Sequence, residues 1–305
     1  MFSDIRVAET EDNPLFEKFS KSIETAFSLG GICWKVLMLD KEMLIFPILS
    51  TLAVFGLLGG IFWPMWSSGE FEVFVNSFES EADFQNDPRV IIGGFLIYFA
   101  CSFIVIFFNA ALLTCAMIRF AGGDPTVMDG LRSSCRNIHQ IFVWSLFAST
   151  IGYIIQMIES RFDGLARLFI GAIGTAWAIA IYFAIPVLVV DRVGPIEAVK
   201  RSVSAMRKTW GTALASHAGL AGLGTLAGII GFLLVAAGGV RFVDQPSVAY
   251  SLWAAAILWF TATTLIITTL SSILKAALYI YAVEGVVPQY FDERTIRSAF
   301  GTKDG

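Results

Sequence analysis

Asn109 and Lys275 stand in matching settings inside long apolar runs, as Asn109-Ala110-Ala111-Leu112 and Lys275-Ala276-Ala277-Leu278. An amide or an ammonium among hydrocarbon side chains can bond to a neighbouring helix, hold a polar headgroup or line a hydrophilic path. The simpler account makes Asn109 an interhelical hydrogen-bonding group and lets Lys275 snorkel to phosphates. A second set of cations, Lys200, Arg201, Arg207 and Lys208, occupies a segment with helical spacing of its apolar residues. Placed along a membrane surface, these four would meet lipid phosphates.

Reaction chemistry is not visible. His217 has no carboxylate or thiol beside it, and a site built on two histidines would need His139 as well, which reads as an interface residue. Ser271-Ser272 has no base at helical spacing, so a nucleophilic triad is unsupported. Gly122-Gly123-Asp124-Pro125 lacks the phosphate-cradling glycine pattern and its lysine, and reads as a turn. The four cysteines, Cys33, Cys101, Cys115 and Cys135, are too scattered for a disulfide framework or a zinc site. We therefore expect no catalytic residue, metal or cofactor, and no enzyme.

The elements that carry these residues follow from composition. Hydrophobic residues make up 56% of the 305 and charged ones 15%, against about 25% charged in soluble domains. Runs of roughly 20 apolar residues are what a helix needs to cross a bilayer. Six occur, near Met43–Trp66, Val90–Ile118, Ile141–Ile158, Leu168–Val190, Thr212–Val240 and Val248–Val283. None holds an acid, and none alternates as a barrel strand would. The predicted fold is all-α, a polytopic bundle of six transmembrane helices. It divides into a polar tail over residues 1–13, one membrane domain over 14–283, and a tail over 284–305.

Seventeen lysines and arginines fall on one side of this plan and four on the other. That split puts both termini in the cytoplasm. On the opposite side, Glu70, Glu72, Glu79, Glu81, Asp83 and Asp87 crowd the first loop between Ser67 and Pro88, together with Phe71, Phe74 and Phe78. That loop is expected to rest as a short amphipathic piece on the bundle or the outer leaflet.

An amphipathic segment precedes each outward span. The seams are Phe16, Phe19, Ile23, Phe27, Gly30 and Trp34; Val127, Leu131, Cys135 and Ile138; and Ile196, Val199, Val203, Met206 and Trp210. Such helices can lie in the headgroup layer or pack under the bundle. Pro125 with Arg132-Ser133, Pro195 with Arg201-Ser202, and Pro288 with Arg297-Ser298 recur at similar places. The pattern predicts three parallel repeats, each an amphipathic helix plus two spans. Gly219, Gly222, Gly224, Gly228 and Gly231 punctuate span five, where small residues allow close helix packing, an oligomer face or movement.

Asp40-Lys41-Glu42-Met43-Leu44-Ile45-Phe46-Pro47, Phe107-Phe108-Asn109-Ala110-Ala111-Leu112 and Pro186-Val187-Leu188-Val189-Val190 resemble a family of uncharacterised prokaryotic integral membrane proteins. Glu197-Ala198-Val199-Lys200-Arg201-Ser202 extends the likeness, and is also similar to the membrane domain attached to some glycerophosphodiester phosphodiesterases. The resemblance implies a six-helix fold in a prokaryotic inner membrane and brings no activity, since the chain has no room for the phosphodiesterase barrel. Expected partners are membrane lipids, with other membrane proteins or further copies of the chain, and not nucleic acid. Three readings follow: a non-enzymatic scaffold or subunit organising lipids or partners, a transporter or channel for a lipid or amphiphile, and a lipid-modifying enzyme. The transport reading lacks charged or broken mid-span helices in the sequence, with Pro186 the one proline deep in a span. A cavity between spans two and six would favour it, and a filled interior would favour the scaffold.

Overall fold

The structure is a computed structural model and describes residues 28–242 and 244–291, without the side chains of 82, 208–221 and 223. Among these residues it is helical throughout, and six helices are long and apolar enough to cross a membrane. After α1 (Ser28–Leu39) and a 3-10 turn at Lys41–Leu44 come α2 (Ile45–Ser67) and two short helices, α3 (Glu70–Asn76) and α4 (Glu81–Asn86). Then follow α5 (Pro88–Phe120), α6 (Val127–Arg136), α7 (Ile138–Glu159), α8 (Gly164–Ala180), α9 (Ala184–Asp191), α10 (Pro195–Arg241) and α11 (Pro246–Glu284). The order of amphipathic segment, span, span is the expected one. The polar N-terminal tail and the seam from Phe16 to Phe27 lie outside the described residues.

Local chemistry sets the helix starts. Asp87 precedes Pro88 and accepts from the Arg89 amide at 2.7 Å, capping α5. Hydrogen bonding from the Arg89 side chain holds the Asp87 carboxyl below its usual 3.8. Thr126 and Asp129 close a capping box on α6. Pro195 and Glu197 take the first-turn places expected for α10. That helix is one unbroken stretch of 47 residues, so the third amphipathic segment and its span are fused rather than hinged. At 1.5 Å per residue it measures about 70 Å, more than twice a hydrocarbon core of about 30 Å.

Packing is concentrated at one end of the bundle, where most of the lysines and arginines lie; we call it the basic end. The buried cluster runs through Leu29, Cys33 and Leu37 of α1, Phe46 of α2, the carboxyl half of α5, Phe183 and Val187, Ala198 of α10, and α11 from Leu270 to Ala282. Around Asn109 and Lys275, the small pairs Ala110-Ala111 and Ala276-Ala277 are fully buried, as are Leu112 and Leu278. Small residues there bring backbones close, which is how helices gain dispersion energy when the surroundings are as apolar as the core. The other halves of the spans bury little. The acidic loop is the exception, since Phe74, Phe78 and Phe84 stack edge to face and Arg89 lies over two of those rings.

The packed seams coincide only in part with the expected ones: Gly30 and Met206 are buried and Val127, Leu131 and Val199 pack against the core, but other positions differ. Cys33, not Trp34, is buried in α1, and Ala198, Ser202 and Ala205, not Ile196, face the bundle in α10. In α6 the buried residues are Gly130 and Ser134, while Cys135 is exposed. The amphipathic helices thus pack under the bundle on a small-residue face. A flanking apolar stripe, with Trp34 43%, Met128 61% and Ile196 66% exposed, is left outward. The glycines of α10 divide likewise. A side chain at Gly231 would collide with the Phe260 ring of α11, whereas Gly222 and Gly228 face open space.

Candidate functional site

Span four is broken, against expectation. Helix α8 stops at Ala180, three residues turn, and α9 resumes at Ala184. Pro186 is the local cause, because it has no amide proton to return to the preceding turn and its ring crowds the carbonyl four residues back. The amide of Phe183, buried in the break, donates to Ser202 Oγ at 3.0 Å. Ser202 has no exposed surface. In the neighbouring unit Ser134, one residue beyond the expected Ser133, donates to the Phe107 carbonyl at 3.0 Å. Ser133 instead accepts from Thr114 at 3.1 Å. Ser202→Ala should lower thermal stability in detergent by about 1–3 kcal/mol, because a buried amide loses its acceptor. Ser204→Ala, at an exposed place two residues on, should melt as wild type. Equal melting of the two variants would show that Ser202 does not secure the break.

Lys275 faces this break. Its ammonium lies 5.0 Å from the centroid of the Tyr182 ring, so it is held against the bundle rather than snorkelling outward. Cation–π contact of this kind contributes about 2 kcal/mol where water is excluded. One turn further, Tyr279 is buried with its ring 6.2 Å from Phe183, and its hydroxyl has no hydrogen-bond partner among the described residues. Asn109 lies in the carboxyl half of α5, and its buried carbonyl oxygen Oδ1 is likewise unpaired among the described residues. Asn109 and Lys275 therefore share a level of packing near the basic end, without an observed bond between them.

The four cations of α10 part ways. Arg201 is an ion-pair hub, donating to Asp191 at 2.8 Å and to Glu197 at 3.0 Å. Those bonds raise its pKa and occupy its guanidinium. Lys200 is exposed. Arg207 is exposed and lines a cleft of about 310 Å³ between α8 and α10, with Ala176, Ile179, Ala180, Val203 and Met206. The side chains of Lys208 and His217 lie outside the described residues, and His139 is exposed.

One polar centre had no sequence signal. Arg119, at the end of α5, forms ion pairs with Asp40 and Asp124. Asp40 is 7% exposed and the Arg119 side chain 15%. This knot joins the turn before α2 and the Gly122–Pro125 turn, and on the adjacent Phe120 the segment after α11 packs Phe291 edge to face. The partners are 79 positions apart along the chain, too far for any local pattern to pair them. Among the described residues no three metal-ligating side chains cluster.

No curated protein and no solved structure matches the chain. A family model described as a family of unknown function does match, over residues 89–288, which takes in α5 to α11 and with them the break, Asn109, Lys275 and the α8–α10 cleft. Nothing in that match extends the likeness to phosphodiesterase membrane domains. Covering well over half of the sequence, it makes the chain a member of that family of unknown function, DUF6159.

Proposed function

We propose that this protein is a non-enzymatic scaffold or complex subunit of a prokaryotic cytoplasmic membrane, holding lipids and partner membrane proteins around a packed hub, with both termini in the cytoplasm. The observation that carries this reading is the close packing at the basic end, where the Ala-Ala-Leu stretches of α5 and α11 are fully buried. Space for a solute is what a transport path would need there. The exterior fits a docking role, since α8 buries no residue and turns Leu165, Leu168, Phe169 and Ile173 outward. The exposed stripes of α1, α6 and α10 suit the inner headgroup layer. Three duplicated units would explain why each amphipathic helix packs a small-residue face against the spans.

A second reading, transport of a lipid or amphiphile, is favoured by one feature, the broken helix with Lys275 beside it. Discontinuous helices commonly mark transport sites. A photoreactive side chain placed at Leu168 in cells separates the two. The scaffold reading expects discrete cross-links to one membrane protein or to a second copy. A chain that cross-links only to lipid, and moves a fluorescent phospholipid across liposomes when purified alone, would replace it with transport.

A further inference from the structure

We infer that the cleft between α8 and α10 is a seat for one anionic phospholipid, with an acyl chain along Ala176, Ile179, Ala180, Val203 and Met206 and the phosphate on Arg207. This deepens the scaffold reading by naming the lipid class and its place, and rests on the chain lying in a membrane as proposed above. Three observations converge. Among the described residues the cleft is lined by Ala176, Ile179, Ala180, Val203, Met206 and Arg207, which include no carboxylate. An apolar slot open to the bilayer fills with hydrocarbon, because water there would find no hydrogen-bonding partners.

The cation is also uncommitted. Arg201, six residues earlier on the same helix, is taken up by Asp191 and Glu197, whereas Arg207 forms no ion pair among the described residues. A guanidinium is the side chain best matched to phosphate, which it can grip through two parallel bonds. With no acid among the described lining residues to hold the ammonium of a zwitterionic headgroup, net negative charge is favoured. Finally, the level is right. The cleft adjoins the break at residues 181–183, in the half of span four towards the basic end, where inner-leaflet phosphates would lie. Lys275 is the weaker place for a headgroup, since its ammonium is covered by the Tyr182 ring.

Native mass spectrometry of the full chain, taken from bilayers holding equal amounts of phosphatidylglycerol and phosphatidylcholine, tests this. Wild type should retain one lipid and prefer phosphatidylglycerol. Arg207→Gln should lower that preference about fivefold, the worth of one basic residue at an anionic surface. Ala176→Phe, which fills the cleft from an exposed position, should release lipid of both kinds. Arg136→Gln, on exposed surface of α6, should behave as wild type. An unchanged preference in Arg207→Gln, or an equal loss in Arg136→Gln, overturns the seat. If wild type retains no lipid while Leu168 still cross-links to a discrete protein, the lipid seat falls and the scaffold reading stands. If neither is found, both fall.

Discussion

Arg119→Met should destabilise the protein by about 3–5 kcal/mol, the usual consequence of removing one partner of a buried ion pair. The loss comes chiefly from what remains. Asp40 is 7% exposed and, without the guanidinium, would be left as a nearly dry carboxylate. Pairing the change with Asp40→Asn should recover more than half of the loss, because the buried charge is then gone on both sides. Thermal unfolding of the two single variants and the double variant in one detergent measures the coupling. Purely additive effects would mean that the pair contributes nothing as a pair.

A single methyl group at Gly130 is expected to be nearly as damaging. A Cβ there would lie 2.8 Å from the Ala111 carbonyl oxygen, 2.8 Å from Cys115 Sγ and 2.7 Å from the tip of Phe46. The ring and the sulfur can shift, but the carbonyl is backbone of α5 and moves only if the helix does. Overpacking of this kind costs about 1–3 kcal/mol, and the backbone contact puts Gly130→Ala at the upper end. Gly228→Ala supplies the control, because its Cβ would meet nothing within 4 Å. There the change should be neutral or gain about 1 kcal/mol from helix propensity. If both alanine variants melt together, α6 does not approach α5 as closely as described.

Much of the architecture was legible because an apolar run long enough to span a bilayer has few other outcomes. All six spans follow from run length, and the start of α10 follows from Pro195 and Glu197. The inward face of the amphipathic helices was read only in part, since Val127, Leu131, Val199 and Met206 do meet the core while Trp34 and Ile196 do not. In a soluble protein the apolar stripe marks the core, but lipid is as apolar as leucine, so Ile196 and Trp34 gain as much outside as in. Small residues mark the true seams, and Cys33, Gly130, Ser134 and Ser202 carry little hydrophobic signal. The break was half visible. Pro186 announces that a bond is missing, but only the fold brings Ser202 to fill it. Among the site residues, Arg201 separated from Lys200 and Arg207 once its acids were seen, because its bond to Asp191 depends on the turn between α9 and α10.

The concentration of packing at the basic end also bears on biogenesis. The 3-10 turn at Lys41–Leu44 packs against α11, whose main buried stretch begins at Thr269. A ribosome adding 5–20 residues per second needs roughly 10–50 s to pass from one to the other. Throughout that interval the first helices are inserted but the faces that α11 will cover have no lid. The nascent chain must therefore be sheltered by the insertion machinery or by transient contacts until its last helix arrives. Truncations that stop short of α11 should be cleared by quality control rather than accumulate as smaller bundles.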